Sequence, residues 1–490
     1  MRSATKLQLQ LGEIDIANIR LDPRSRDDIP ELLRGLQYLY TDKQLRAEIF
    51  EVLARLTPPT INAEMGRPGM ALWKIFVMGS LRLNLNCDYD RLQELVNNHK
   101  TIRQMLGHGF TDDDLTYHLQ TLKDNVQLFT PEILDEINQV VVKAGHQLKK
   151  KESLAARCDS FVVETNVHYP TDINLLLDAM RKTIKLTADY ARMTGLDGWR
   201  QSVYNVRQVK RVHRKTQKMK RSSSRDAIKK AKRQQEIVKA HRDYVTLAGQ
   251  FIRKSRQTLA TEVADMSLTA MAKALEIQTY INHAERQMEQ IDRRVIHGET
   301  IPHNEKVFSI FQPHTEWISK GKAGVPVELG LKVCIVEDTD GFLLHHRVMQ
   351  QQSDDQIAID LVAETQARYP DLRVCSFDKG FHSPTNQVEL AKRLDRVVLP
   401  KKGRCNKTEQ QRENSEAFIT GRRKHSAVES GINALEVHGL DRCLDHGLHG
   451  FKRYVALAVV ARNIQKLGAE LQKKLRKQEK RKRRRDKLAA

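Results

Sequence analysis

The sequence predicts a mixed α/β domain whose sheet carries helices on its faces, joined to two wholly helical parts. Three observations support this. A short apolar run around Asp159 has the length and composition of a buried strand. A strand-turn-strand, helix, strand, helix, strand, helix pattern follows only after residue 300. The chain between residues 181 and 300 is helical in pattern and very basic, so the sheet is interrupted by an insertion.

Composition points to a polyanionic partner. The chain has 490 residues, enough for several domains, and a net charge of +22. Such an excess of positive charge favours nucleic acid over an acidic membrane surface. The six cysteines include no Cys-x-x-Cys pair, which argues against a zinc ribbon or a disulfide framework. The longest apolar run is too short to span a bilayer and no signal-peptide core is visible, so we expect a soluble cytoplasmic protein.

The N-terminal part, residues 1–145, is predicted to consist of short helices. Ile49 to Leu56 has helical spacing and stops at Pro58-Pro59, and Ala71 to Leu83 is strongly apolar. Short helices with tight turns suggest a helix-turn-helix-like DNA-binding domain. A generic helical bundle gives the same periodicity, which does not separate the two.

The basic helical segment comes after the first predicted strand of the sheet. Residues 150–180 hold the first strand and the start of a helix, and residues 181–300 form the insertion lobe. Between Lys210 and Lys239 there are 13 Lys or Arg residues against two acids, a charge block typical of an interaction surface. We interpret the lobe as a DNA-contacting arm; the alternative is a solvated coiled-coil arm without a ligand.

Residues 301–467 are predicted to complete the sheet. Val327 to Glu337 alternates as a strand does, Asp338 to Gly341 is a hairpin turn, and Phe342 to Met349 returns. The predicted elements that follow are a helix Asp354–Arg368, a strand Leu372–Phe377, a helix from Pro384 to Leu394, a strand Arg396–Leu399 and, after a polar loop over 403–420, a helix from Arg422 to about Val437. Residues 468–490 are predicted to be a basic disordered tail.

Three acids stand where this sheet would bring them together. Asp159 lies on the first strand, Asp378 just past the end of a later strand, and Glu429 on the helix after the last strand. The ends of strands in α/β sheets form the ligand crevice. Carboxylates on separate elements suit a hard cation such as Mg²⁺, and two such ions can promote phosphoryl displacement.

Other acids are weaker candidates. Because side chains alternate along a strand, Glu164 faces away from the side that carries Asp159. Asp338 and Asp340 lie in a turn, where aspartate has a local backbone role. Glu429 could instead be an ordinary exposed glutamate on a helix. The presence of the other two acids favours its interpretation as a metal ligand.

Several motifs resemble a known family. They are Gly66-Arg-Pro68, Asp159-Ser-Phe-Val-Val-Glu-Thr-Asn-Val-His-Tyr-Pro-Thr-Asp172, Trp317-Ile-Ser-Lys-Gly-Lys322, Glu328-Leu-Gly-Leu-Lys-Val333, Phe377-Asp-Lys-Gly-Phe-His382 and Arg422-Arg-Lys-His-Ser-Ala-Val-Glu-Ser430. Their order is similar to that of bacterial insertion-sequence transposases with an RNase H-like DDE catalytic domain, most closely the ISNCY group. The resemblance covers most of the chain.

The resemblance implies an α/β RNase H-like catalytic domain with Asp159, Asp378 and Glu429 as catalytic triad and metal ligands. It implies two Mg²⁺ ions, for which Mn²⁺ can substitute, cleavage and strand transfer of DNA, and a homo-oligomer on the paired element ends. It also implies a bacterial, nucleoid-associated setting.

Two features depart from the family pattern. His425 occupies the position, four residues before Glu429, where an arginine is expected. The large insertion follows the first strand, whereas several relatives carry theirs later.

A group of basic residues flanks the predicted acids. We expect DNA contacts from Arg422, Arg423, Lys424, His425, Lys379, Lys401 and Lys402. We expect the protein neither to associate with a membrane nor to act on a small-molecule substrate. Two alternatives remain open: a DNA nuclease of the same fold without strand transfer, and a catalytically silent DNA-binding regulator.

Overall fold

The computed structural model describes residues 9, 12–57, 69–109, 112, 114–149, 153–261, 263, 266–319 and 326–489. The chain divides into two compact units. The first comprises Met1–Asn166 and Glu316–Ala490, and the second is Val167–Thr315. The first unit carries the sheet, and the second is helical.

The regular elements have the following bounds. Over the described residues the helices are α1 (Asp28–Thr41), α2 (Lys43–Ala54), α3 (Leu72–Asn84), α4 (Tyr89–Asn98), α5 (Lys100–Met105), α6 (Leu119–Val126), α7 (Pro131–Lys149), α8 (Asp172–Thr194), α9 (Ser202–Gln217), α10 (Ala227–Ala260), α11 (Leu268–Ile291), α12 (Asp354–Arg368), α13 (Pro384–Arg393), α14 (Lys407–Glu413), α15 (Glu416–His425), α16 (Ala427–Leu435) and α17 (Gly447–Ala489). The strands are β1 (Leu154–Thr165), β2 (Glu316–Ser319), β3 (Val327–Asp338), β4 (Leu343–Val348), β5 (Leu372–Phe377), β6 (Arg396–Val398) and β7 (Arg442–Cys443).

The sheet of the first unit is mixed and open. Its strand order is β2-β3-β1-β5-β6, with β4 paired to β3 and β7 paired to β1. Strand β1 runs antiparallel to β3 and parallel to β5. Helices flank the sheet, as the predicted α/β class requires.

The β3–β4 hairpin is held by the aspartate at its turn. Asp338 Oδ1 accepts hydrogen bonds from the backbone N–H groups of Asp340, at 2.8 Å, and Phe342, at 2.9 Å. The predicted local backbone role of Asp338 is therefore confirmed, and so is the predicted order of β3, turn, β4, α12, β5, α13 and β6.

The N-terminal helices share a hydrophobic core with the sheet, and α17 packs against α1, α3 and α7. Helices α1 and α17 approach very closely at two glycines. A Cβ atom at Gly468 would lie 1.8 Å from the carbonyl oxygen of Glu31, and one at Gly35 would lie 2.1 Å from that of Ile464. Residues 1–145 therefore belong to the same compact unit as the sheet.

The second unit is built around its own core, which includes Tyr190, Tyr244 and Ile277. Thr171 caps the start of α8, and Gly195 ends it in a left-handed conformation. Helix α8 runs unbroken across residues 180 and 181, where the sequence predicts the boundary of the insertion.

The predicted disordered tail over 468–490 is wrong for the residues that the structure describes, because α17 continues to Ala489. The side chains of residues 473–486 are exposed. Lysine, arginine, glutamate, glutamine and leucine favour helices, and the helix is already nucleated by its buried first half. The run of charge therefore did not imply disorder.

The segment before the third acid also differs from its prediction. The supposed loop over 403–420 contains α14, begun by a capping box of Asn406 and Glu409, and most of α15. The single helix predicted from Arg422 to Val437 is interrupted at Ser426. Local caps outweigh the polar composition here.

One motif of the resemblance and the end of a second fall outside the described residues. Gly66-Arg-Pro68 and Lys320-Gly-Lys322 lie outside the described residues. Over the residues that are described, no helix has both the length and the apolar character needed to cross a bilayer.

Candidate functional site

Two of the predicted acids are set by neighbouring parallel strands: Asp159 lies on β1, and Asp378 directly follows β5. The register of β1 and β5 sets Arg157 opposite Ser376 and Cys158 opposite Phe377. The next position on each chain is Asp159 and Asp378, so continuing this register brings the two acids side by side at the carboxyl end of β5. Asp159 is half-buried and Asp378 is exposed.

The pKa of Asp159 reports its surroundings. Burial raises this pKa to about 6, while a hydrogen bond of 2.7 Å from the Ser160 backbone N–H opposes the rise. The negative charges of Asp378, Asp354 and Glu429 raise it further. The charges of the other two acids chosen from the sequence therefore reach Asp159, and so does the charge of a fourth acid, Asp354.

Glu429 lies on the exposed side of the first turn of α16. Val428 and Leu435 are buried and hold the helix on the first unit, and the break at Ser426 sets its start. The positive end of the helix dipole favours a carboxylate in this turn. Glu429 is thus held by its helix in reach of solvent.

Asp354 is the acid that the sequence did not reveal as part of this cluster. Its Oδ1 accepts a 2.7 Å hydrogen bond from the Ser160 hydroxyl, and its Oδ2 lies 3.2 Å from Lys332 Nζ. A Cβ atom at Gly380 would lie 3.1 Å from the same Oδ2. An acid in the first turn of a helix is already explained by the helix dipole, so no separate signal was visible.

His425, the residue that departs from the family pattern, lies beside the same acids. Its Nδ1 is 3.1 Å from the Ser376 hydroxyl. Burial lowers the pKa of His425, and the charges of Asp378 and Glu429 partly oppose this. Burial therefore favours a neutral imidazole, a hydrogen-bonding group, over a fixed positive charge.

A buried ion pair lies next to these groups. Arg157, on the β1 face that carries Asp159, lies 3.6 Å from Glu337 Oε2. Burial raises the pKa of Glu337 to about 7, against the lowering effect of Arg157. A Cβ atom at Gly431 of α16 would lie 2.5 Å from Glu337 Oε1, so α16 rests directly on this carboxylate.

The predicted DNA-contacting cations differ in availability. Exposed side chains are found at Arg422, Arg423, Lys424, Lys379 and Lys402. Lys401 is half-buried, and its ammonium is 2.6 Å from Glu409. Lys401 is therefore held by an ion pair within the protein.

The donor types fit a hard divalent cation, since they are carboxylates whose mutual repulsion a cation would relieve. In the part of the chain that the structure describes, no three His, Cys, Asp or Glu side chains stand close enough to form a ligand set. Metal–oxygen distances of about 2.0 to 2.1 Å therefore require the side chains to move inward.

Comparison of the chain with models of protein families, with curated proteins and with solved structures finds no match.

Proposed function

We propose that this protein is a DNA transposase that binds the ends of its element and catalyses Mg²⁺-dependent DNA cleavage and strand transfer. One observation carries the proposal: the β1–β5 register brings Asp159 next to Asp378, within the electrostatic reach of Glu429. The motif resemblance names the same three acids independently of any distance.

In this proposal Asp159, Asp378 and Glu429 hold two Mg²⁺ ions, which Mn²⁺ can replace. The ions supply a deprotonated nucleophile and neutralise charge on the leaving oxygen. A bound cation would favour the ionised form of Asp159, whose pKa burial raises to about 6. Asp378 and Glu429 are both exposed, so a DNA phosphate could reach them.

The basic residues around the acids then bind the DNA backbone. Lys379 directly follows Asp378, while Arg422, Arg423 and Lys424 occupy the last turn of α15. His425, uncharged and bonded to Ser376, positions a phosphate or a water as a hydrogen-bonding group.

The remaining expectations belong to the same proposal. The catalytic part has an RNase H-like fold, which the mixed sheet with its flanking helices supports. The N-terminal helices bind DNA in a helix-turn-helix-like manner, and the protein works as a homo-oligomer on paired ends in the cytoplasm, associated with the nucleoid.

A strand-transfer assay tests the proposal. Labelled DNA ending in the element's terminal repeats is incubated with supercoiled target DNA and Mg²⁺. Asp378→Asn should abolish both cleavage and joining. Asp371→Asn, an exposed aspartate immediately before β5, is the matched control and should retain both. Equal activity of the two variants would exclude the site.

The products separate the alternatives. Cleaved ends without joined products would identify a nuclease of the same kind of site. The open spacing of the acids favours a third possibility, a silent DNA-binding regulator. Binding of the ends with neither cleavage nor joining, at any Mg²⁺ or Mn²⁺ concentration, would identify it.

A further inference from the structure

Helix α9 of the second unit carries an exposed line of cations. Successive members are spaced three, one, three, one and three residues apart, so they share one helical face. The members are Arg207, Lys210, Arg211, Arg214, Lys215 and Lys218, the last at the C-terminal cap, and they are called the α9 stripe. Eleven residues of helix extend the stripe over about 16 Å.

The stripe lines two grooves of the second unit. One, of about 470 Å³, is lined by the six cations of the stripe alone. The other, of about 580 Å³, lies between α8 and α9 and shares Arg207 and Lys210 with the first. Its α8 side has Lys182 and Lys185 but also Asp178 and Asp189, so the uninterrupted positive charge lies on α9.

The charge of the stripe is not compensated from within. On α8, Arg181 lies 3.6 Å from Asp178 and Arg192 lies 3.3 Å from Asp189. Helix α9 itself contains no Asp or Glu. Over the described residues, no ion pair involves a member of the stripe. Like charges three and four residues apart destabilise a helix, so the arrangement carries a cost that a bound polyanion would remove.

The opposite face of α9 fixes the direction in which the stripe points. Val209, His213 and Thr216 are buried. His213 Nε2 is 2.9 Å from Asn174 Oδ1, and the Thr216 hydroxyl donates to the Ala240 carbonyl at 3.2 Å. The stripe is therefore presented to solvent by a helix that is anchored in the core of its own unit.

We propose that the α9 stripe is a binding site for the phosphate backbone of duplex DNA, without sequence preference. A length of about 16 Å matches about five phosphates of one strand, at roughly 3.4 Å of rise each. A protein partner would need apolar or aromatic anchors, and the groove lined by the stripe alone offers only Lys and Arg. The groove between α8 and α9 also contains Val203 and Phe311, so the proposal is confined to the stripe. The proposal rests on the proposed function only for the choice of DNA as the polyanion.

The test compares two triple variants of the full chain. The first neutralises the stripe with Arg207→Gln, Arg211→Gln and Arg214→Gln. The second, a matched control, removes three exposed arginines of α10 and α11 outside both grooves, with Arg242→Gln, Arg253→Gln and Arg286→Gln. Both change the net charge equally.

Affinity is measured by fluorescence anisotropy with a labelled random-sequence duplex of 30 base pairs, over a series of NaCl concentrations. The slope of log K against log salt should become less steep by about three for the stripe variant and stay near wild type for the control. Circular dichroism and melting temperature confirm that both variants fold.

Equal slopes for the two variants would overturn the proposal. An unchanged DNA slope together with lost binding of poly-glutamate would reassign the stripe to an acidic protein, which also overturns it. The readout needs no catalysis. A stripe-dependent slope in a chain that never joins DNA would therefore refute the proposed function alone.

Discussion

The hydroxyl of Ser160 donates a 2.7 Å hydrogen bond to Asp354, and this bond ties the strand of Asp159 to the first turn of α12. Lys332, 3.2 Å from the same carboxylate, balances part of its charge. Asp354 is therefore placed to tune the acids of the site even if it never touches a metal.

Replacing Asp354 by Asn should lower the pKa of Asp159, because it removes one of the negative charges that raise it. The stabilisation of the protein by Mg²⁺, followed as a melting-temperature shift across pH, should then begin at lower pH than in wild type. Asp360→Asn, an exposed acid on the same helix, is the control. If the pH midpoint of the Mg²⁺-dependent melting-temperature shift is the same in Asp354→Asn and wild type, Asp354 does not influence the pKa of Asp159.

The pKa of Asp159 also predicts how stability varies with pH. Its value in the folded protein, about 6, is above the ordinary 3.8, so the folded state holds this proton more tightly. The associated stability is present below about pH 4 and is lost as the pH rises through about 6. Asp159→Asn should therefore gain about 1–2 kcal/mol relative to wild type between pH 4 and 7.5.

Chemical denaturation at the two pH values, in EDTA, measures this difference. The expected gain is limited to about 1–2 kcal/mol because Asp159 is only half-buried and solvent screens its charge. Asp371→Asn serves as the control and should show no comparable gain. A constant difference between Asp159→Asn and wild type would mean that the Asp159 carboxyl is not perturbed.

Glu429→Gln should reduce strand transfer roughly 100-fold or more, since it removes one negative oxygen ligand while keeping the size of the side chain. Binding of the element ends should change little. The control is Glu416→Gln, at the start of the preceding helix, whose carboxylate is also exposed. Normal joining by Glu429→Gln would remove Glu429 from the site.

Gly468→Ala should destabilise the first unit by about 1–3 kcal/mol or more, because its methyl group would lie 1.8 Å from the Glu31 carbonyl oxygen. Gly249→Ala in α10 provides the opposite case. There the nearest atom to the new methyl group is 3.5 Å away, so the protein should gain about 0.4–1 kcal/mol. Thermal unfolding measures the stability of both variants. A Gly468→Ala variant as stable as wild type would show that α1 and α17 can move apart to admit the methyl group.

The strands and their acids were predictable because the physical signal is local. The bounds of α12 and β5 match their predictions to the residue, since a first-turn acid and a short apolar run mark them. The α1–α17 contact was not predictable, because two small residues more than 400 positions apart give no periodic pattern. The same applies to the Ser160–Asp354 bond, which depends on the register of the finished sheet.

The position of α17 at the end of the chain affects how the protein folds while it is being synthesised. Its buried half completes the packing of α1, which leaves the ribosome about 420 residues earlier. At roughly 5–20 residues per second, the part of α1 that packs against α17 waits about 20–80 s for its partner. Asp378 and Glu429 also emerge long after Asp159. A chain that ends before α17 therefore leaves exposed the part of α1 that α17 covers in the full-length protein.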